Sequence, residues 1–189
     1  MGEGLVDKLN EEPDIQLDVT WAPFELHAET PEAGLPLAQY FDVPEERVAS
    51  MQQGLQERAE SLGLRFQAPK VLSNTRKAHI MSEYARDEGK LDALRRATFR
   101  ANFAEGRNLA DDGVLRDLAA EAGLDPDTAL AAISDPRYVQ RVDAAAQRSR
   151  ALGITGVPAF IIEDKYKIVG AHPLDVLRDA FRRIADEQR

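Results

Sequence analysis

The residues best suited to chemistry lie near the C-terminus, in the run Gly153-Ile154-Thr155-Gly156-Val157-Pro158. Glycine and proline at this density are typical of a loop. The apolar segment 159–162 follows at once and predicts a buried strand. The run carries no cysteine, histidine or carboxylate. Residue types alone therefore predict a loop that leads through Val157–Pro158 into this strand.

Bond-making chemistry finds little support in the rest of the chain. The 189 residues contain no cysteine, which excludes disulfides, thiolate metal sites and a cysteine nucleophile within the sequence. The three histidines are His27, His79 and His172, and no two of them have metal-ligand spacing such as His-x-x-x-His. A glycine-rich phosphate loop and a Gly-x-Ser-x-Gly motif are also absent from the sequence. We predict no metal and no cofactor.

Several single residues could line a site. His79 and Glu83 lie one helical turn apart, a spacing that favours a surface ion pair, with redox modulation by His79 as the alternative. Glu25 lies beside aromatic residues and could be a buried carboxylate. Aromatic side chains could line a groove, although such residues are more often core. These are Trp21, Phe24, Phe99, Phe103 and Phe160.

Charge is distributed unevenly along the chain. The net charge is −9, and residues 1–50 hold 12 acidic and 2 basic side chains. Nucleic acids and anionic membranes are bound mainly through Lys and Arg, so neither is an expected partner. No apolar run approaches membrane-spanning length. We interpret the acidic front as a solvated face that aids solubility.

The positioning elements begin with a helix that carries Leu5, Val6 and Leu9 and ends near Pro13. Alternating apolar residues then predict a strand over 15–21 with one buried face. A helix opens at Pro44 with an apolar stripe, followed by helices over about 75–88, 91–105 and 112–122. Pro126 and Pro136 each begin a further helix, and the second reaches about residue 152. The stripe of the helix at Pro44 comprises Val48, Met51, Leu55, Ala59 and Leu62.

The pattern changes after residue 152. Segments 159–162 and 166–169 predict two strands joined by the turn Glu163-Asp164-Lys165. A final amphipathic helix follows, with Leu174, Leu177, Phe181 and Ile184 on one face. The order is helix, strand, a block of helices, strand, strand and helix. This order predicts an α/β core interrupted by a helical insertion.

The ordered motifs resemble the DsbA-like thioredoxin family, and within it the cytoplasmic, FrnE-type branch. The resemblance covers nearly the whole chain. It rests on Trp21-Ala22-Pro23-Phe24-Glu25-Leu26, Asn74-Thr75 with Ala78-His79, Phe103-Ala104-Glu105-Gly106-Arg107-Asn108, Leu118-Ala119-Ala120-Glu121-Ala122-Gly123-Leu124, the Gly153–Pro158 run and Gly170-Ala171-His172-Pro173.

The resemblance implies a thioredoxin-like α/β fold with a large helical insertion. Residues 1–40 and 153–189 would form the thioredoxin core, and residues 41–152 the insertion domain. It also implies a cis peptide bond at Val157–Pro158 that leaves the Val157 backbone free to pair with a protein or peptide thiol or disulfide substrate. Thr155 would assist that binding, and Trp21, Phe24, Glu25 and His79 would line the site.

The chain departs from the family at its front. The family begins with a strand and a Cys-Pro-x-Cys turn, and here Met1-Gly2 resembles the apolar-Gly pair that follows the turn. We therefore expect a truncated oxidoreductase or isomerase that lacks the first strand and the dithiol. Its open strand edges would lower stability or favour a homodimer. The alternatives are a redox-inactive binding module and an enzyme like the glutathione-dependent 2-hydroxychromene-carboxylate isomerases.

Overall fold

The structure is a computed structural model that describes residues 1–67 and 69–187. Helices dominate it, and the strands are short. The helices are α1 (Gly2–Asn10), α2 (Leu37–Phe41), α3 (Glu45–Ser61), α4 (Arg76–Asp87), α5 (Leu91–Phe103), α6 (Asp112–Glu121), α7 (Pro126–Ala132), α8 (Pro136–Ala151) and α9 (Leu174–Asp186). The strands are β1 (Leu35–Pro36), β2 (Val71–Leu72), β3 (Ala159–Ile162) and β4 (Tyr166–Val169).

Helices α4–α8 form a helical region around one apolar core. Leu94, Leu115 and Leu118 are among its completely buried side chains. Tyr84 of α4 and Tyr138 of α8 meet edge to face, with ring centroids 5.8 Å apart. Each helix contributes one apolar stripe, so the five helices cover a shared interior.

Aspartate side chains set the starts of three of these helices. Asp111, Asp125 and Asp135 each accept a hydrogen bond from a backbone N–H in the first turn of α6, α7 and α8 respectively. These bonds satisfy donors that have no partner within the helix. Capping of this kind is readable from sequence, and the predicted helix starts agree with the structure.

The sheet region consists of α1, β3, β4 and α9. Strands β3 and β4 form an antiparallel hairpin in which Ala159 faces Val169 and Ile162 faces Tyr166. Helices α1 and α9 pack on each other and on this hairpin through Leu5, Leu9 and Leu177. The predicted α/β core, interrupted by a block of helices, is therefore confirmed.

The predicted strand over 15–21 is wrong. Within the described residues this segment pairs with no strand and has no regular secondary structure. Ile15 and Leu17 still pack against the sheet region, so the apolar alternation reflects burial. A strand is defined by its hydrogen-bonded neighbour, and no described segment lies beside this one as a partner.

The predicted apolar stripe of α3 is buried only near its ends. Val48 and Ala59 are buried, whereas Met51 is 43% exposed and Leu55 is 42% exposed. Helix α3 packs mainly on α2, and the short β1–β2 pair lies beside them. The middle of the stripe therefore faces away from both apolar cores.

Candidate functional site

The Val157–Pro158 junction presents free backbone groups at the surface. The peptide bond between these residues is cis, and the Val157 side chain is 50% exposed. Among the described residues, no hydrogen bond involves the N–H or C=O of Val157. The Pro158 C=O accepts a 2.7 Å hydrogen bond from the Gly170 N–H. Pro158 is thus bonded to the residue that follows β4, while Val157 can pair elsewhere.

The register of the hairpin extends this free edge along β3. Because Pro158 bonds to Gly170, the hydrogen-bonded pairs of the ladder are Phe160 with Ile168 and Ile162 with Tyr166. Ala159 and Ile161 alternate with these residues, so their backbone groups point away from β4. No described strand pairs with that side of β3. An extended chain placed at Val157 would find further backbone partners along β3.

The N-terminus of α1 packs directly against this junction. A Cβ atom at Gly2 would lie only 2.8 Å from the Cβ of Pro158, so the approach requires glycine. Gly4, two positions further on in the same turn, faces Leu64, and a Cβ atom at Gly4 would lie 3.0 Å from the Leu64 Cδ1. The first turn of a helix exposes unpaired N–H groups and carries the positive end of its dipole.

A buried ion pair with α5 also contacts the first turn of α1. Glu3 Oε1 accepts a 2.7 Å hydrogen bond from Arg95 Nη1 of α5. Arg95 is only 8% exposed, and its guanidinium lies over the Trp21 ring at 4.3 Å from the centroid. The Trp21 C=O in turn accepts a 2.6 Å hydrogen bond from Arg86 Nη2 of α4. Trp21 is therefore connected to α1 through Arg95.

The other predicted lining residues collect along α4. Glu25 accepts a 2.9 Å hydrogen bond from Arg76 Nη1, and Arg76 Nη2 donates to Asp143 over 2.7 Å. Phe24 offers its backbone to His79 as a hydrogen-bond partner. Within the described residues, no hydrogen bond, ion pair or ring contact joins Phe24, Glu25 or His79 to the Val157–Pro158 junction.

His79 does not form the predicted surface pair with Glu83. Burial lowers the pKa of His79 to about 4, against smaller opposing effects from the Phe24 backbone and Glu83. The imidazole is therefore neutral at neutral pH. Glu83 is itself buried and accepts two hydrogen bonds from the Arg86 guanidinium. The one-turn spacing was right, but the helix face carrying both side chains is turned inward.

Aromatic residues divide between core and surface. Phe160 packs edge to face on Phe181 inside the sheet region. Phe99 lies between Trp21 and Phe103, with ring centroids 6.4 Å and 6.2 Å away. Phe103 was predicted to be core but is 44% exposed. The three neighbouring rings of Trp21, Phe99 and Phe103 therefore reach the surface at Phe103.

Thr155 is exposed in the loop before Val157. Among the described residues, no group of three or more His, Asp or Glu side chains is placed to hold a metal. None of the described helices is both long and apolar enough to cross a bilayer.

Sequence reasoning missed Glu3 and Arg95. Both are ordinary charged residues on predicted amphipathic helices, and 92 positions separate them. The one local signal is a pair of consecutive arginines, Arg95 and Arg96, on α5, since Arg96 also reaches Glu3 over 3.4 Å. Nothing in the spacing indicates which arginine is buried.

Comparison with known proteins adds family information to this geometry. A family model of the DSBA-like thioredoxin domain matches residues 5–182. A search of curated proteins found no match.

Three solved structures are similar over almost the whole chain. A probable DsbA oxidoreductase from Streptomyces coelicolor is 28% identical with a TM-score of 0.89, and the match covers 98% of this chain and 84% of that one. A 2-hydroxychromene-2-carboxylate isomerase is 19% identical with a TM-score of 0.77, covering 99% and 90%. A putative protein disulfide isomerase from Nitrosomonas europaea is 18% identical with a TM-score of 0.66, covering 100% and 92%.

Proposed function

Because the chain belongs to the DSBA-like thioredoxin domain family, we propose that it is the substrate-binding framework of a FrnE-like protein disulfide oxidoreductase or isomerase. Its substrate is an extended segment of a protein or peptide that carries a thiol or disulfide. The family acts on such substrates. The 28% identity to a probable DsbA oxidoreductase supports the same class.

The observation that carries this proposal is the unpaired backbone of Val157 beside Pro158. Its N–H and C=O make no hydrogen bond within the described residues, and the side chain is half exposed. An extended peptide is bound by main-chain pairing of this kind. Ala159 and Ile161 continue the same edge, and Thr155 lies exposed in the preceding loop as a further contact.

The chain binds and orients in this scheme and supplies no thiol. Thiol–disulfide exchange requires attack of a thiolate on a disulfide sulfur, and the sequence contains no cysteine. The attacking thiolate therefore comes from outside residues 1–189. Residues 1–189 contribute the unpaired backbone of Val157 and the contact of Gly2 in α1 with Pro158. In this scheme the insertion domain comprises residues 41–152, and residues 1–40 and 153–189 form the thioredoxin core. We propose a cytoplasmic location and a homodimer.

Peptide titration tests the binding role. A ten-residue peptide of alternating Val and Ser around a central S-methylcysteine would be added to the ¹⁵N-labelled chain. The Val157 amide signal is expected to shift with saturation. Val157→Pro removes the N–H and should abolish binding, whereas Val157→Ala keeps both backbone groups and serves as the matched control. Equal affinity of the two variants would contradict backbone pairing at this residue.

The source of the thiols is a separate question with its own experiment. The coding sequence before the Met1 codon would be read and compared with the intact mass of the natural protein. An in-frame Cys-Pro-x-Cys and a matching larger mass support the oxidoreductase. A stop codon with a mass for 189 residues supports a binding module instead. Glutathione that shifts Val157 in place of the peptide would favour the isomerase-like alternative, for which the 19% identity supports only the fold.

A further inference from the structure

The Glu3–Arg95 ion pair is largely buried, unlike the ion pairs at the protein surface. The Arg95 side chain is 9% exposed and the Glu3 side chain 15% exposed, with 2.7 Å between Nη1 and Oε1. Asp92 adds a weaker contact to Arg95 at 3.4 Å, and Arg96 reaches Glu3 over 3.4 Å. Charges removed from water interact more strongly than exposed ones but require their partners. The geometry of this pair is therefore tightly specified.

The surroundings of Arg95 restrict its guanidinium in the remaining directions. Its face lies 4.3 Å from the Trp21 centroid and 5.9 Å from that of Phe99. The Nε atom is buried without a hydrogen-bond partner among the described residues. A guanidinium stacked on an aromatic ring gains cation–π attraction while one edge remains free to bind a carboxylate. That free edge points to Glu3.

Glu3 lies in the first turn of α1, next to Gly2, which touches Pro158. The chain of contacts thus runs from α5 through Arg95 and Glu3 to the N-terminus of α1 and ends at the proposed peptide site. We propose that Arg95 is a positioning residue for this site: through Glu3 it holds the first turn of α1 against Pro158, beside Val157. This inference rests on the proposed function for its effect on peptide binding.

The test must separate positioning from stability. Removing one member of a buried pair leaves an uncompensated charge and can unfold a protein. The double variant Glu3→Gln/Arg95→Met removes both charges together, and the long Met side chain can still cover Trp21. Replacing both partners in this way is often close to neutral for stability. We expect its melting temperature to stay near that of the wild type.

Two measurements then decide the matter. The Gly2–Pro158 nuclear Overhauser effect is expected to weaken or disappear in the double variant, and affinity for the S-methylcysteine peptide to fall about 3- to 10-fold. Asp7→Asn is the matched control, since Asp7 is on α1 and pairs with exposed Arg96 over 3.6 Å. It should change neither reading.

The outcomes distinguish this inference from the proposed function. Loss of the Gly2–Pro158 contact in the folded double variant, with the control unchanged, supports positioning by Arg95. An unchanged contact overturns it, because packing of Gly2 would then suffice. If the wild type binds no peptide, the proposed function fails, and the Gly2–Pro158 contact still decides whether Arg95 positions α1.

Discussion

The helical region and the sheet region bury their apolar side chains to different degrees. In the helical region, residues of all five helices α4–α8 are completely enclosed, Leu115 and Leu118 among them. In the sheet region Leu5, Leu9 and Leu177 form the buried centre, and their neighbours Phe160, Ile168 and Phe181 remain partly exposed. The apolar core of the helical region is fully enclosed, whereas one side of the sheet region is open to solvent.

The difference matters because the candidate site belongs to the less enclosed region. A two-stranded sheet is marginal by itself and needs a further strand or a packed helix. Here α1 and α9 cover one side of the hairpin, and the outer edge of β3 has no described partner. The ion pair of Glu3 with Arg95 supplies part of the missing support from the helical region.

Leucine truncation gives the largest expected effect and tests the comparison directly. Leu115 is 1% exposed in the core of the helical region, so Leu115→Ala should lower the free energy of unfolding by about 3–5 kcal/mol. Leu177→Ala should cost less, about 2 kcal/mol, because its partly exposed neighbours can relax into the space. Urea unfolding measures both, and Leu115→Met is the volume-conserving control.

Hydrogen exchange sharpens the same pair of variants. Leu177→Ala should speed amide exchange in β3 and β4 while α6 stays protected, because the regions then open separately. Uniform loss of protection throughout the chain would show that the two regions unfold as one unit and would remove the distinction.

Lowering the pH should weaken the packing of residues 21–25 against α4. The folded pKa of His79, about 4, lies below its ordinary value of 6.5. The unfolded chain therefore binds a proton at higher pH than the folded chain does. The free energy of unfolding is unaffected by His79 above pH 6.5 and decreases as the pH falls toward 4. Relative to His79→Gln, the wild type should lose at most about 1.4 kcal/mol per pH unit in that window.

Urea unfolding at pH 7, 6 and 5 checks this dependence. His172→Gln is the control, because His172 is exposed and its ring Nε2 bonds to the backbone C=O of Val169. The control should follow the pH slope of the wild type. Parallel slopes for the wild type and His79→Gln would show that His79 is not protected from protonation by folding.

Removing a helix cap tests whether the helical region depends on its local signals. Asp125 accepts a 2.8 Å hydrogen bond from the Thr128 N–H at the start of α7. Asp125→Ala should cost about 1 kcal/mol, while Asp125→Asn retains an acceptor and should cost less. Equal losses in thermal unfolding would argue that charge, and not capping, is what matters there.

The smallest expected effect concerns an exposed ion pair between the two regions. Arg148 Nη2 of α8 lies 2.6 Å from Asp164 Oδ1 in the β3–β4 turn, and the two side chains are 69% and 82% exposed. Arg148→Gln should change the free energy of unfolding by less than about 0.5 kcal/mol. A larger loss would mean that surface charge helps to hold the hairpin in place.

Local features of the fold were predictable from sequence. Proline and aspartate mark the starts of α7 and α8, and glycine follows α6 and α8 at Gly123 and Gly153 with positive φ. These signals act within a few residues, so a linear sequence contains them. The β3–β4 hairpin was found for the same reason.

Features that depend on distant partners were not predictable. Alternation over 15–21 indicated a strand, and Ile15 and Leu17 do pack inward, but Val19 is 39% exposed and strand pairing requires a neighbour. The one-turn spacing of His79 and Glu83 fitted a surface pair because spacing does not say which helix face packs inward. Met51 and Phe103 followed apolar stripes that extend past the edge of the core.

The sequence by itself determined the starts of α6, α7 and α8, the hairpin, the Val157–Pro158 junction and the lack of any thiol, because each depends on residue identity or on short-range periodicity. Only the tertiary structure decided that Gly2 meets Pro158 and that Arg95 reaches Glu3. It also decided that the half-buried His79 faces the Phe24 backbone while Glu25 pairs with Arg76. Burial and ion pairing between residues far apart in the chain are fixed by how the helices pack, and the energies of such contacts depend on surroundings that no local pattern specifies.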